Sequence, residues 1–130
     1  MSNDGHETMK QPMTAEWAKQ FAQEWTEAWN AHDLDRVMTH YTSEVEFFSP
    51  FVSLVLGEPT GRVQGRDTLR AYFAKALIAY PDLRFDLQTV YWGVNSITIS
   101  YRSVKNLPAA EVMLFDGENR VSIVYAHYAE

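Results

Sequence analysis

Cysteine is missing from all 130 residues. Its absence excludes disulfides, thiolate nucleophiles and zinc-thiolate sites, and it fits a chain kept in a reducing cytoplasm. Long apolar runs are missing too. No stretch approaches the roughly 18 residues that a membrane span needs, and the opening MSNDGHETMKQP has no apolar segment of the secretory kind. The expectation is a soluble cytoplasmic protein that does not engage a membrane. Basic residues are few, 11 Lys and Arg against 17 Asp and Glu, for a net charge of −6. Phosphate backbones require a basic patch. The one close basic cluster, Arg62, Arg66 and Arg70, sits among polar and acidic residues and reads as a solvated face, so no nucleic-acid partner is expected.

Metal and nucleotide sites lack their signatures as well. His6, His32, His40 and His127 stand at no ligand spacing, so no metal site is expected. There is no G-x-G-x-x-G turn, and GEPTGRVQG lacks the Lys-Ser/Thr ending of a phosphate-binding loop. No cofactor is expected.

What the chain does contain is apolar surface to bury, 46% of its residues, enough at this length for one domain with one core. Residues 1–12, polar and carrying Gly5 and Pro12, read as a flexible tail, and 13–130 as the domain. In WAKQFAQEWTEAW, Trp17, Phe21, Trp25 and Trp29 follow at intervals of four. Each such step turns about 40° round a helix, so the four cannot share one line: Phe21 and Trp25 should be central on the buried face and Trp17 and Trp29 at its flanks. Thr14 is the expected N-cap of this first helix, which runs to Asn30, and Asp33 the N-cap of a short second one through Leu34, Val37 and Met38 to Tyr41.

The period then changes. VEFFSPF, residues 45–51, reads as a short strand ending at Pro50, with Val45, Phe47 and Ser49 on one side. Residues 52–65, with Gly57, Pro59, Gly61 and Gly65, read as a long loop of the kind that forms lids. A third helix is expected from Asp67 as N-cap through Leu69, Tyr72, Phe73, Ala76 and Leu77, stopped by Pro81. LRFDLQTVYWGV, SITISYRSV, AAEVMLF and RVSIVYAHY follow as four strands joined by short turns. Helices followed by antiparallel strands is an α+β order.

This order, with NAHDLDRVMTHYTSEVEFFSP after the first helix, GRDTLRAYFAKAL, and AEVMLFDGENRV near the end, resembles the nuclear transport factor 2-like superfamily over residues 14–128. More narrowly it resembles the SnoaL-like branch, kin to ketosteroid isomerase and the polyketide cyclases. The resemblance implies a cone-shaped, cystatin-like α+β fold, three N-terminal helices packed in a strongly curved, mixed but mostly antiparallel sheet. It also implies a pocket at the open end of the cone and a homodimer formed through the sheet face. The fold hosts isomerases, dehydratases, cyclases, hydrolases and non-enzymatic binders, so it does not decide activity.

The isomerases hold a carboxylate base just before the proline that ends the first strand, and Ser49 stands there in this chain. A serine hydroxyl is no base at neutral pH without a partner to take its proton. Ser49 therefore reads as a hydrogen-bonding pocket residue or a turn residue. The family's tyrosine donor falls at Trp25, whose indole N–H can donate but cannot exchange protons, and which the family's geometry aims at the cavity. Glu111 coincides with the isomerases' protonated carboxylic acid, and strand alternation puts it on one face with Met113 and Phe115. Burial there would raise its pKa and make it the general acid or base. Alternatively it sits at a solvated rim. Tyr41, Phe73, Tyr101 and Tyr128 complete a pocket suited to a small apolar, aromatic or polycyclic molecule. Three functions stay open: a cofactor-free isomerase, cyclase, dehydratase or hydrolase, a small-molecule binder that has lost its base, and a dimeric scaffold with a filled cone.

Overall fold

The computed structural model describes residues 8–130. The first helix, α1 (Ala15–Asn30), starts where Thr14 Oγ1 accepts the Trp17 N–H at 3.0 Å, and it buries Phe21, Trp25 and Trp29 on one face with Ala18, Ala22 and Ala28 between them. The alanines let the helix lie close to its neighbours while the rings fill the spaces beyond. Trp17 stays half-buried at the flank as expected, whereas Trp29 is buried rather than flanking. Phe85, arriving from the far end of the chain, packs 5.3 Å from its ring and covers it. Asn30 holds Phe85 there, donating to its carbonyl at 2.9 Å and accepting its N–H at 2.7 Å. Asp33 caps α2 (Leu34–Met38) through the Arg36 N–H, at 3.2 Å.

Two expectations need correction after this point. The first strand, β1, covers Tyr41–Phe48, so Tyr41 opens a strand instead of closing a helix, and Pro50 begins a helix rather than ending the strand. That helix, α3 (Pro50–Leu56), and a short strand, β2 (Arg62–Gln64), occupy most of the expected loop. Proline's fixed φ suits the first position of a helix, where no N–H is needed, and Ser49 caps it. Gly57 ends it at φ 70°, a left-handed conformation. Gly61, at φ 67°, accepts the Ser49 N–H at 2.9 Å, and a Cβ there would meet the Ser49 carbonyl at 3.0 Å.

The next helix, α4 (Arg66–Ala79), is capped by Gly65 with no side-chain bond, so Asp67 lies in its first turn rather than at its N-cap. It ends before Pro81, as the ring requires. β3 (Asp86–Gly93), β4 (Ser96–Arg102), β5 (Pro108–Phe115) and β6 (Val121–Tyr128) follow, with a single 3₁₀ turn at Val104–Asn106. The described residues thus hold four α-helices and six strands instead of three and five. The fold class stands: an α+β arrangement around one sheet ordered β2-β1-β6-β5-β4-β3, parallel only between β1 and β6 and not closed.

One sheet face packs on α1 and carries Val45, Phe47, Ile97, Ile99, Tyr101, Glu111, Met113 and Val124, all buried. Of the expected tail, residues 1–7, His6 among them, lie outside the described residues. Residues 8–12 are fastened to the β5–β6 turn: Met9 is buried, Lys10 N–H donates to the Gly117 carbonyl, and Gln11 exchanges two 2.9 Å hydrogen bonds with the Asn119 side chain. No helix among the described residues is long and apolar enough to cross a membrane.

Candidate functional site

Glu111 is placed by the pleat of β5. Alternate residues Ala109, Glu111, Met113 and Phe115 are buried, so the register that hides three apolar side chains hides this carboxyl with them. Ile99 of β4 and Ala126 of β6 flank it in register. Tyr101, two residues along β4 on the same face, reaches back diagonally and donates its O–H to Glu111 Oε2 at 2.5 Å. The Tyr101 ring is held against Phe85 at 4.6 Å and Trp25 at 5.4 Å, which fixes the hydroxyl. Among the described residues, no donor besides Tyr101 reaches the Glu111 carboxyl. Burial pushes the Glu111 carboxyl up to about 7, the Tyr101 hydrogen bond offsetting part of that rise.

Glu111 borders a cavity of about 170 Å³. α4 lines it with Tyr72, Phe73, Lys75 and Ala76, α3 with Phe51 and Val55, the sheet with Phe47, Tyr101 and Tyr128, α1 with Trp29, and the β4–β5 connection with Ser103, Val104 and Leu107. Glu111 and the exposed Lys75 are its charged residues, at the wall and at the rim. An apolar cavity of roughly 150 Å³ takes a benzene ring, while pockets for drug-sized ligands run from roughly 300 Å³ upward. The enclosed space therefore suits one ring.

Phenol hydroxyls surround the carboxyl. Burial, and secondarily the charge of Glu111, pushes Tyr41, Tyr101 and Tyr128 far above the ordinary tyrosine value, and burial pushes Tyr72 up to about 12. They remain protonated donors at any working pH. Glu111 is the group at the cavity wall that burial brings close to neutrality.

Of the residues singled out from the sequence, Glu111, Phe73, Tyr101 and Tyr128 border the cavity together. Trp25 and Tyr41 do not. They lie deeper, both essentially fully buried, with the Trp25 indole N–H donating to the Tyr41 hydroxyl at 3.0 Å. Ser49 is buried at the junction of β1 and α3, where its Oγ accepts the Phe51 N–H at 3.1 Å, and it opens on a shallow groove beside Pro50, Gly61 and Tyr125. From that position it also favours the ionised forms of the nearby Tyr72 and Tyr128 hydroxyls, against the larger effect of their burial. Residues the sequence reading missed are Tyr72, placed on the third helix with no site role, Phe51, read at the end of the first strand, and Val55, in the segment read as loop. Trp29 also lines the cavity, and its buried indole N–H has no partner among the described residues. No group of three or more His, Cys, Asp or Glu among the described residues is arranged to hold a metal ion.

A family model for the SnoaL-like domain matches residues 22–117. No curated protein matches the sequence. Among solved structures, a SnoaL-like protein of unknown function from Burkholderia thailandensis is 42% identical, with a TM-score of 0.89 over 92% of this chain and 100% of its own. A candidate isomerase of the SnoaL-like family from Agrobacterium tumefaciens is 18% identical, with a TM-score of 0.72 over 88% of this chain and 99% of its own. A candidate ketosteroid isomerase from Kribbella flavida is 15% identical, with a TM-score of 0.66 over 88% and 79%. At those identities the latter two share the fold.

Proposed function

The chain belongs to the SnoaL-like domain family, and from that footing we propose that its cavity binds a compact, mostly apolar molecule and that Glu111 exchanges a proton with it without a cofactor. One observation carries this reading: a buried carboxyl with one oxygen held by Tyr101 and the other without a partner among the described residues, at the wall of a cavity the size of one ring. A carboxyl brought to about 7 is present in both protonation states at neutral pH, so it can give or take a proton with little driving force lost either way. Isomerisation, cyclisation, dehydration and hydrolysis all need such a step. The candidate isomerases that share the fold support this class of chemistry. The volume favours a single ring over a polycyclic molecule.

A second reading, binding without turnover, is favoured by Ser49. Its hydroxyl is committed to capping α3, so the position that holds the base in the isomerases supplies none here. The two readings share the ligand site and differ in whether Glu111 turns substrate over. The absence of cysteine supports a cytoplasmic setting for either, and the uncovered apolar residues on the outer sheet face support a homodimer.

The test is binding of phenol, followed by calorimetry between about pH 5 and about pH 8, to the wild-type protein and to Glu111→Gln. We expect affinity to change roughly tenfold across neutrality in the wild type and to stay level in the variant. A level profile in both would remove Glu111 from the site.

A further inference from the structure

The cavity has a second polar pole that the Glu111 reading leaves unused. In register across the sheet, Tyr101 of β4, Ala109 of β5 and Tyr128 of β6 form one row, and Glu111 is the next inward-facing residue along β5. Only a methyl group therefore stands between the two tyrosines. Their hydroxyls have different fates. That of Tyr101 is spent on Glu111, whereas Tyr128 and Tyr72, which line the cavity, share Ser49 as the hydrogen-bonding neighbour of their hydroxyls. The Ser49 oxygen already accepts the Phe51 N–H, which leaves it one lone pair, so it can take the proton of at most one phenol and at least one O–H remains for the cavity.

We propose that the pocket selects single-ring molecules carrying two oxygen functions, one met by Glu111 and the other by the hydroxyls of Tyr72 and Tyr128. The reading rests on Glu111 as the first contact and adds the substrate class and two specificity-determining residues. Its physical basis is the cost of leaving donors idle. Filling the cavity with a ring that bears one oxygen strips water from both poles and satisfies one, whereas a ring with two oxygens satisfies both. Sites that hydrogen-bond a ligand oxygen discriminate strongly against analogues that lack it, because their own buried groups are then left unpaired.

The experiment compares phenol with resorcinol and hydroquinone by calorimetry at neutral pH, in the wild type, in Tyr72→Phe, in Tyr128→Phe and in the double variant. The better dihydroxybenzene should bind roughly five to ten times tighter than phenol to the wild type, the worth of one added hydrogen bond. In the double variant that preference should vanish, and each single variant, which keeps one donor, should lose part of it. Equal affinities in the wild type, or a preference that survives in the double variant and both single ones, overturn the second pole and leave Glu111 untouched. Failure of phenol to bind, or phenol binding indifferent to Glu111→Gln, overturns the reading of Glu111 and this inference with it.

Discussion

Trp25 donates its indole N–H to the hydroxyl of Tyr41 across 3.0 Å, and the pair seals the depth of the fold without touching the cavity. Each residue satisfies the only buried polar atom the other has, in a place water does not reach. Tyr41→Phe leaves the Trp25 N–H buried and unpaired, which should cost roughly 1–3 kcal/mol. Urea denaturation checks the value, and phenol binding to the folded variant should be unchanged. Loss of binding at full stability would mean that the cavity extends to this pair.

Glu111 makes stability depend on pH in an unusual direction for a carboxyl. Its ordinary value of 4.5 is raised to about 7 in the fold, so the native protein holds the proton more tightly than the unfolded chain does. Its contribution is present in full below 4.5 and lost as pH rises through about 7, a difference of roughly 3 kcal/mol at most. Glu111→Gln should lose that decline and be more stable than the wild type above it. Thermal unfolding followed across the interval measures both. A wild-type curve that declines toward neutral pH no more than that of Glu111→Gln would place the carboxyl in contact with bulk water.

His40 acts with the opposite sign. Burial lowers its pKa, and Glu24 at 3.7 Å is too distant to offset that. The contribution of a neutral buried imidazole is present above its ordinary value of 6.5 and lost as pH falls below it. His40→Gln should therefore lose stability to acid more slowly than the wild type, with the comparison made in the Glu111→Gln background so that the two slopes do not cancel.

The placement of Glu111 could be read from the chain because a strand has a strict period of two. Once Met113 and Phe115 face inward, Glu111 must follow, and Tyr101 is set by the same rule from Ile97 and Ile99. α3 could not be read that way. Its seven residues are too few to display a period, only Val52 is buried, and Pro50 and Gly57, which start and stop the helix, are also the residues that mark loops. Phe51 and Val55 were lost with it. The assignment of Trp25 to the cavity failed for a different reason: the register of α1 was right, but the hydroxyl that captures the indole arrives from β1, a long-range contact that no local pattern records.

Ser49 links that misread segment to the site. Ser49→Ala removes the bond to Phe51 N–H and should cost roughly 1 kcal/mol, while Ser49→Thr keeps a capping hydroxyl and should cost less. Because Phe51 and Val55 line the cavity from α3, the alanine variant should also weaken binding of a dihydroxybenzene more than that of phenol. Calorimetry beside thermal unfolding separates the two effects. Unchanged stability in Ser49→Ala would remove the capping role assigned to it here.

The outer face of the sheet carries a row that the fold leaves uncovered. By register, Phe48 of β1 stands beside Tyr125 of β6, then Val112 of β5, Thr98 of β4 and Tyr91 of β3. The Phe48 and Tyr125 rings stack at 5.1 Å, and Tyr125 and Tyr91 are 43% and 60% exposed. A largely apolar row across five strands, with no described helix over it, gains most from a second copy of itself, since a two-fold axis would lay like on like. The mass in solution should then be about twice the 15.0 kDa of one chain, by light scattering on a sizing column. Val112→Lys combined with Tyr125→Lys should halve it while leaving the inner face, and so phenol binding, intact. A wild-type protein that elutes at the mass of one chain would leave the row without its second copy.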